Sequence, residues 1–235
     1  MPETDKKQLT EFYDKYVNHQ LRHAYNVRHF ILFDELLKLG LKDNSNVLEL
    51  GCGIGVSTSM IAAYANNGTI IGIDISPKSI EAAKEKVKFD NVSFIAADIL
   101  EIEHTSKHFD FITLFDVLEH VPLDSHELLF ERLAKHSNQH TKILINIPNP
   151  AFIEYLSENE PKKLQVIDQP VWANQLLTVA YRQGLVLKQF RTYDIWTEED
   201  YQLMLFQKKT LYKKAELATS HWQLKSRIRK LLGLK

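Results

Sequence analysis

Apolar and polar positions follow two rhythms along this chain. Residues 7–41, "KQLTEFYDKYVNHQLRHAYNVRHFILFDELLKLGL", place apolar side chains at helical spacing, notably Phe30, Phe33, Leu36 and Leu37, and stop near Gly40. Short unbroken apolar runs then take over: "NVLEL" from Asn46, "GTIIGIDIS" from Gly68, "NVSFIAADI" from Asn91, "FDFITLFDV" from Phe109 and "TKILINIP" from Thr141. These predict five strands. Helical patterns separate or follow them: around Ser57–Asn66, from Pro77 through Lys88 with proline in the first turn, "PLDSHELLFERLAKHS", and "VWANQLLTVAYRQGL", stopped at Gly184. The last two runs, "LVLKQFRTYDI" and "YQLMLFQKK", are joined by a short link and pair most simply as antiparallel neighbours.

Strands that alternate with helices require right-handed crossovers and a mostly parallel sheet covered on both faces. Continuous apolar runs are what burial on both faces demands. The expected class is α/β, doubly wound. In such sheets the ligand lies outside the carboxyl ends of the strands, where the strand order reverses.

A length of 235 residues suits one substantial core with an appended segment. No window is apolar for long enough to span a bilayer, the first residues are too polar for a secretory signal, and the lone Cys52 excludes an internal disulfide. These features point to the cytoplasm. Charge is unevenly placed. From Gln207 onward nine Lys and Arg face one acid, Glu216, so with the whole chain at −1 the first 206 residues stand at −9. An acidic body argues against a nucleic-acid groove and against a nucleic-acid partner.

The informative stretch is "NVLELGCGIGVSTSM". Gly51, Gly53 and Gly55 follow the first strand directly, and missing Cβ atoms let a turn adopt positive φ and let a ligand touch main chain. The spacing is neither the dinucleotide G-x-G-x-x-G, since Val56 takes the third place, nor a phosphate loop. Glu49, just before the turn, would repel a pyrophosphate but suits a positive centre. Asp74 closes the second strand, where a carboxylate can accept both ribose hydroxyls, and Asp98 closes the third, where it can accept from an adenine amine. Three acids at consecutive strand ends call for a cationic adenosine.

Here the sequence resembles the class I S-adenosylmethionine-dependent methyltransferases, from about Asn46 to Phe206. "LELGCGIG" is similar to their first motif, "IGIDIS" to the second, "FIAADI" to the adenine contact and "FDFITLFDVLEHVP" to the fourth-strand segment. The resemblance implies a seven-stranded sheet with an antiparallel last strand and S-adenosylmethionine as cofactor. It puts Gly51, Gly53 and Gly55 along the methionine and ribose, Glu49 near the ammonium group, Asp74 and Ile75 at the ribose, and Asp98 with Ile99 at the adenine. Phe115 joins the cofactor contacts, and Arg28 could clamp the methionine carboxylate or sit on a solvent face.

Methyl transfer needs an aligned nucleophile and a group that removes its proton. "LFDVLEHVP" supplies His120, with an ordinary pKa near neutrality (~6.5), and Asp116 as the expected catalytic pair; alternatively the Glu-His pair caps the next helix. Asp116, Glu119 and His120, at i, i+3 and i+4, also form a plausible divalent-metal set, similar to quinone-pathway O-methyltransferases. The expected acceptor is a small molecule, sugar-like, because the segment of about 148–172 brings Phe152, Tyr155 and Trp172 to acids and carboxamides. That insertion, with Tyr13, Tyr16 and His19 of an N-terminal helical segment (1–45), could close over the 46–207 domain as a lid, although Tyr13 and Tyr16 also read as core. His19, His23 and His29 read as surface or packing residues. A quinone or phenol acceptor and a silent cofactor-binding scaffold stay open. In the tail, 208–235, Trp222, Leu224, Ile228, Leu231 and Leu232 share a helical face ringed by Lys225, Arg227, Arg229 and Lys230. This basic amphipathic helix can pack on the acidic body or a second subunit, or lie peripherally in an anionic membrane surface.

Overall fold

The computed structural model describes residues 3–22, 25–102, 108–165, 167–210 and 219–233; the His19, His23, Trp222 and Leu224 side chains lie outside the described residues. Seven strands form one sheet: β1 (Val47–Leu50), β2 (Ile70–Asp74), β3 (Val92–Ala96), β4 (Phe111–Phe115), β5 (Lys142–Pro148), β6 (Leu185–Tyr193) and β7 (Tyr201–Lys208). Their order is β3-β2-β1-β4-β5-β7-β6. The first five strands run parallel, whereas β7 is antiparallel to both β5 and β6. The order reverses between β1 and β4, which opens a crevice at their carboxyl ends.

Among the described residues eight α-helices accompany the sheet: α1 (Glu3–Arg22), α2 (Val27–Lys38), α3 (Val56–Tyr64), α4 (Pro77–Lys86), α5 (His126–Lys135), α6 (Pro150–Asn159), α7 (Ala173–Arg182) and α8 (Thr219–Leu231). Period-two alternation splits each central strand between two cores. Leu48, Leu50, Ile112, Leu114, Ile143 and Ile145 point to the layer built with Leu129, Phe130 and Leu133 of α5 and Leu176 and Ala180 of α7. Val47, Ile70, Phe111 and Leu144 point the other way, to Leu32 and Leu36 of α2 and Ile61 and Ala62 of α3. Leu36, with none of its surface exposed, is one of the side chains that fasten α2 to the sheet.

The N-terminal helical pattern resolves into two helices. Asn26 breaks it: its side chain accepts from the Arg28 N–H and its own N–H donates to His29 Nδ1, a reciprocal cap that starts α2 afresh. Arg28 therefore sits in a first turn at the sheet's carboxyl edge. The stretch after β5 is likewise no open loop. Asn149 caps α6, with Pro150 in its first turn, and only the residues beyond Pro161–Lys163 run irregularly back toward the sheet. Among the described residues no helix is long and apolar enough to cross a membrane.

Candidate active site

The loop from β1 into α3 holds Gly51, Gly53 and Gly55 at φ of 76°, 52° and 79°, conformations that side-chain-bearing residues seldom adopt. A Cβ on Gly51 would stand 2.2 Å from a Val117 methyl. The Gly53 N–H donates to Asp74 Oδ2 at 2.8 Å, and the Ser76 N–H donates to Asp74 Oδ1 at 2.9 Å. Two neighbouring strand ends are thus tied by a carboxylate that keeps further lone pairs free. Asp98, at the third strand's end, is buried and accepts the Leu100 N–H through Oδ1. Burial pushes the Asp74 carboxyl up, against the pull of its two backbone donors.

These groups face a cavity of about 380 Å³, within the usual size of small-ligand sites. Gly51, Gly53, Glu49, Asp74, Ile75, Asp98, Ile99, Phe115, Asp116, His120 and Arg28 all line it. Gly55 departs from the expectation. The space of its missing Cβ is filled by Val87, Phe94 and Ala83, so it serves packing against α4 and the start of α3. Glu49 is buried, with Thr58 of α3 donating to its Oε2, and desolvation pushes its carboxyl up to about 8.

The N-terminal helices close the cavity. Tyr13, Tyr16 and Gln20 of α1 line it, and the Ser76 Oγ donates to Asp14 Oδ1 at 2.6 Å, fixing α1 beside the end of β2. His29, read as packing, lines the cavity too. Phe152, Tyr155 and Trp172 do not: Phe152 and Tyr155 stack on each other, and Trp172 donates to Glu154 on the same helix, α6. Trp196, from the β6–β7 link, and Gln165 take the places expected for them.

Arg28 is no solvent-facing residue. Its Nη1 lies 2.8 Å from Asp116 Oδ2 and donates to the Tyr201 hydroxyl at 3.1 Å, with the guanidinium over the Trp196 and Tyr201 rings at 5.7 and 5.9 Å. Burial opposes the charge, but Asp116 and Tyr201 outweigh it and hold the guanidinium protonated. Asp116 itself has φ of 54°, an outlier for a residue with a side chain, and that twist turns its carboxylate toward Arg28. Asp116 is therefore engaged by a cation, and among the described residues no three His, Cys, Asp or Glu are arranged to hold a metal ion.

His120 stands in a 3₁₀ turn, Leu118–His120, directly after β4. Its Nδ1 meets the Ile167 carbonyl and lies 3.1 Å from Asp168 Oδ1, while Nε2 is 3.8 Å from Glu119 Oε1. Tyr13 packs edge-on against the ring at 5.9 Å. Burial alone would lower the imidazole, yet Glu119, Asp168 and the Ile167 carbonyl bring it up to about 9. Desolvation pushes Glu119 up to about 8. The sequence reading did not single out Asp168, Thr58 or Tyr201: Asp168 and Tyr201 join the site only through contacts distant along the chain, and Thr58 reaches Glu49 only once the turn into α3 folds back.

The family described as a methyltransferase domain matches residues 41–216. The mitochondrial ubiquinone biosynthesis O-methyltransferase of Candida albicans is 37% identical over 95 residues, 38% of this chain and 29% of that protein. Malonyl-[acyl-carrier protein] O-methyltransferase 1 of Ilyobacter polytropus is 32% identical over 109 residues, 46% of this chain and 40% of that one. The chain thus spans less than half the length of these curated relatives. Among solved structures, magnesium protoporphyrin IX methyltransferase of Synechocystis with bound S-adenosylhomocysteine superposes with a TM-score of 0.69 at 14% identity, covering 87% of this chain and all of that one. The N-methyltransferase NodS of Bradyrhizobium japonicum, also in complex with S-adenosylhomocysteine, gives 0.65 at 20% identity, covering 85% and 100%.

The raised carboxyls fix how stability responds to pH. Glu49 is protonated in the native state up to about 8 but only to its ordinary value of 4.5 when unfolded, so the native state holds the extra proton between those limits. Stability must then fall as pH rises through that window, by up to about 1.4 kcal/mol per pH unit for each such group. His120 acts in the same sense: its contribution is complete below 6.5 and is lost as pH rises through about 9. Urea unfolding midpoints should decline from pH 5 to 9, and Glu49→Gln should flatten the decline below pH 8. A Glu49→Gln protein with the wild-type slope would show that Glu49 ionises normally.

Proposed function

The chain belongs to the class I S-adenosylmethionine-dependent methyltransferases, and from that premise we propose that it transfers a methyl group to an oxygen or nitrogen of a small, hydroxyl-bearing acceptor. The observation that carries the reading is the bond between Gly53 and Asp74, which turns a side-chain-free loop and a carboxylate toward one cavity. Bound S-adenosylmethionine supplies a methyl group already activated by the sulfonium. The chain's part is to hold it: Asp74 accepts the ribose hydroxyls through its remaining lone pairs, with Ile75 beside it, and Asp98 and Ile99 receive the adenine. Gly51 and Gly53 leave room for the methionine portion beside Phe115, Glu49 answers its ammonium group, and Arg28 its carboxylate. The four acids that line the cavity, Glu49, Asp74, Asp98 and Asp116, favour a cationic ligand as a set.

His120 is the base in this reading. It takes the proton of the attacking hydroxyl or amine, and the cavity, closed by α1, keeps bulk water from competing. Asp116 serves by holding Arg28. The rings of Tyr13, Tyr16 and Trp196, with the carboxamides of Gln20 and Gln165, form a wall that stacks and hydrogen-bonds a sugar ring, which favours a sugar or glycan precursor. A second reading, methylation of a quinone or phenol oxygen, draws on the name of the Candida relative. Its metal-assisted form would have to displace Arg28 from Asp116, the first residue of the candidate metal set.

Asp74→Ala should abolish S-adenosylmethionine binding in calorimetry, because two hydroxyls lose a charged acceptor worth about 1.5–3 kcal/mol per bond. Affinity within about twofold of wild type would remove the ribose from Asp74.

His120→Ala should leave that affinity intact and slow transfer to a sugar hydroxyl by roughly 10²–10⁴. In the wild type, the base is neutral only above its pKa, so kcat/KM should climb with pH toward about 9. An unchanged rate, or a profile flat from pH 6 to 9, would make His120 structural.

The tail extends the reading to a surface. Along α8, Ile228, Leu231 and Leu232 are 50%, 89% and 62% exposed, beside Lys225, Arg227, Arg229 and Lys230. A helix with an uncovered apolar face and a basic flank favours peripheral contact with an anionic membrane. Full-length protein should sediment with phosphatidylserine vesicles at low salt and lose this on Leu231→Ser with Arg227→Glu; sedimentation unaltered by both changes would assign the helix to protein contacts.

A further inference from the structure

Ile167, Asp168 and Gln169 lie across the 118–121 turn, and the mechanism above gives them no part. Gln169 fastens this strap: its N–H donates to the Glu119 carbonyl at 3.1 Å and its Nε2 to the Val121 carbonyl at 3.0 Å. Asp168 is fixed in turn, because its Oδ2 accepts the Gln165 N–H at 2.6 Å while Oδ1 stays 3.1 Å from His120 Nδ1. The Ile167 carbonyl approaches the same nitrogen. His120 is thus gripped from one side by two oxygens that can only accept.

We propose that Asp168 is the positioning residue of His120: with the Ile167 carbonyl it fixes the ring proton on Nδ1 and so leaves Nε2 as the nitrogen that exchanges a proton with the acceptor. A neutral imidazole has one donor nitrogen and one acceptor nitrogen, and which is which follows from its partners. Nδ1 facing a carbonyl and a carboxylate must donate, or two electron-rich oxygens would press on a lone pair. Nε2 lies 3.8 Å from Glu119 Oε1, beyond hydrogen-bond reach. Two carboxyls thus flank the ring unequally, and distance gives the orienting role to Asp168. The carboxylate also steadies the imidazolium that forms when the proton arrives, which is what a base operating in a desolvated site lacks most. The strap adds a second consequence. Gln165 and His120 both line the cavity, so an acceptor that presses on the strap presses on the group that orients the base.

The inference rests on reading His120 as the base, but its test reads the imidazole itself and not turnover, so the two fail separately. Full-length chain labelled with ¹⁵N-histidine, with the His120 signal identified by its loss in His120→Gln, should show neutral His120 as the Nδ1–H tautomer. Its titration midpoint should fall by about one unit or more in Asp168→Asn, because a charged acceptor becomes a neutral one, and return most of the way in Asp168→Glu. A neutral Nε2–H tautomer in the wild type would overturn the proposal even where Asp168→Asn fails to fold. So would a folded Asp168→Asn protein with its midpoint within about 0.3 units of wild type.

Discussion

The hydrogen bond from the Gly53 N–H to Asp74 Oδ2 joins the loop after β1 to the end of β2, and the arrangement of the cavity follows from it. Forming it needs positive φ at Gly53 and at Gly51, whose own N–H and that of Cys52 converge on the Ile73 carbonyl. The loop's amides are thereby spent on the neighbouring strand, and its Cα atoms are left bare. Close approach then becomes general: Val117 packs into the space over Gly51, and Gln20 of α1 lies 3.1 Å from where a Gly53 Cβ would be. One conformational allowance in the backbone lets the fourth strand's turn and the N-terminal helix meet over the same point.

Around that point the acids divide into two kinds. Asp74 accepts two backbone N–H groups, which oppose the upward push of burial on its carboxyl, and Asp98 accepts one. Glu49 and Glu119 are buried with less compensation, and desolvation pushes both up to about 8. Beside the cavity stand two carboxyls, Glu49 and Glu119, that yield a proton when a positive group comes near. A cation entering the site can be answered without a permanently charged, desolvated pair having to exist beforehand, which is the costly arrangement in a low-dielectric interior.

Much of this was legible in the chain. The strand sequence, the crossovers and the antiparallel β7 follow from apolar runs and turn residues, because burial on both faces of a parallel sheet leaves a strong one-dimensional trace. The carboxyl ends of β1, β2 and β3 carry their acids where the pattern placed them, as the cavity at those ends requires. The remainder was illegible for identifiable reasons. Gly55 looks like its two neighbours in the motif, and only the packing of Val87 and Phe94 shows that it faces the core. Phe152, Tyr155 and Trp172 suggested a wall by composition, but Asn149 and Pro150 start a helix that carries two of them, and Trp172 turns to Glu154, away from the cavity. Arg28 could face solvent or cavity until the Asn26 cap set the phase of α2. Asp168 lies 48 residues beyond His120 in a stretch without periodicity, so its meeting with Nδ1 is a product of tertiary folding alone.

Closure over the cavity and the tuning of His120 are physically one event. Asp14 holds α1 to Ser76 beside the Asp74 carboxylate, and the same helix carries Tyr13 against the His120 ring. With α1 in place, water is displaced from Glu119 and His120 together, and this desolvation favours the state in which few net charges are buried. The imidazole keeps its proton because Glu119, Asp168 and the Ile167 carbonyl lie beside it, while desolvation pushes the Glu119 carboxyl up. Were α1 to swing away, both groups would drift toward their ordinary values, and the proton balance at Nε2 would be set by solvent. A site closed from the side of α1 and held from the side of the strap surrounds His120 fully only when both segments are seated, so filling of the cavity and the proton state of His120 are coupled by the fold itself.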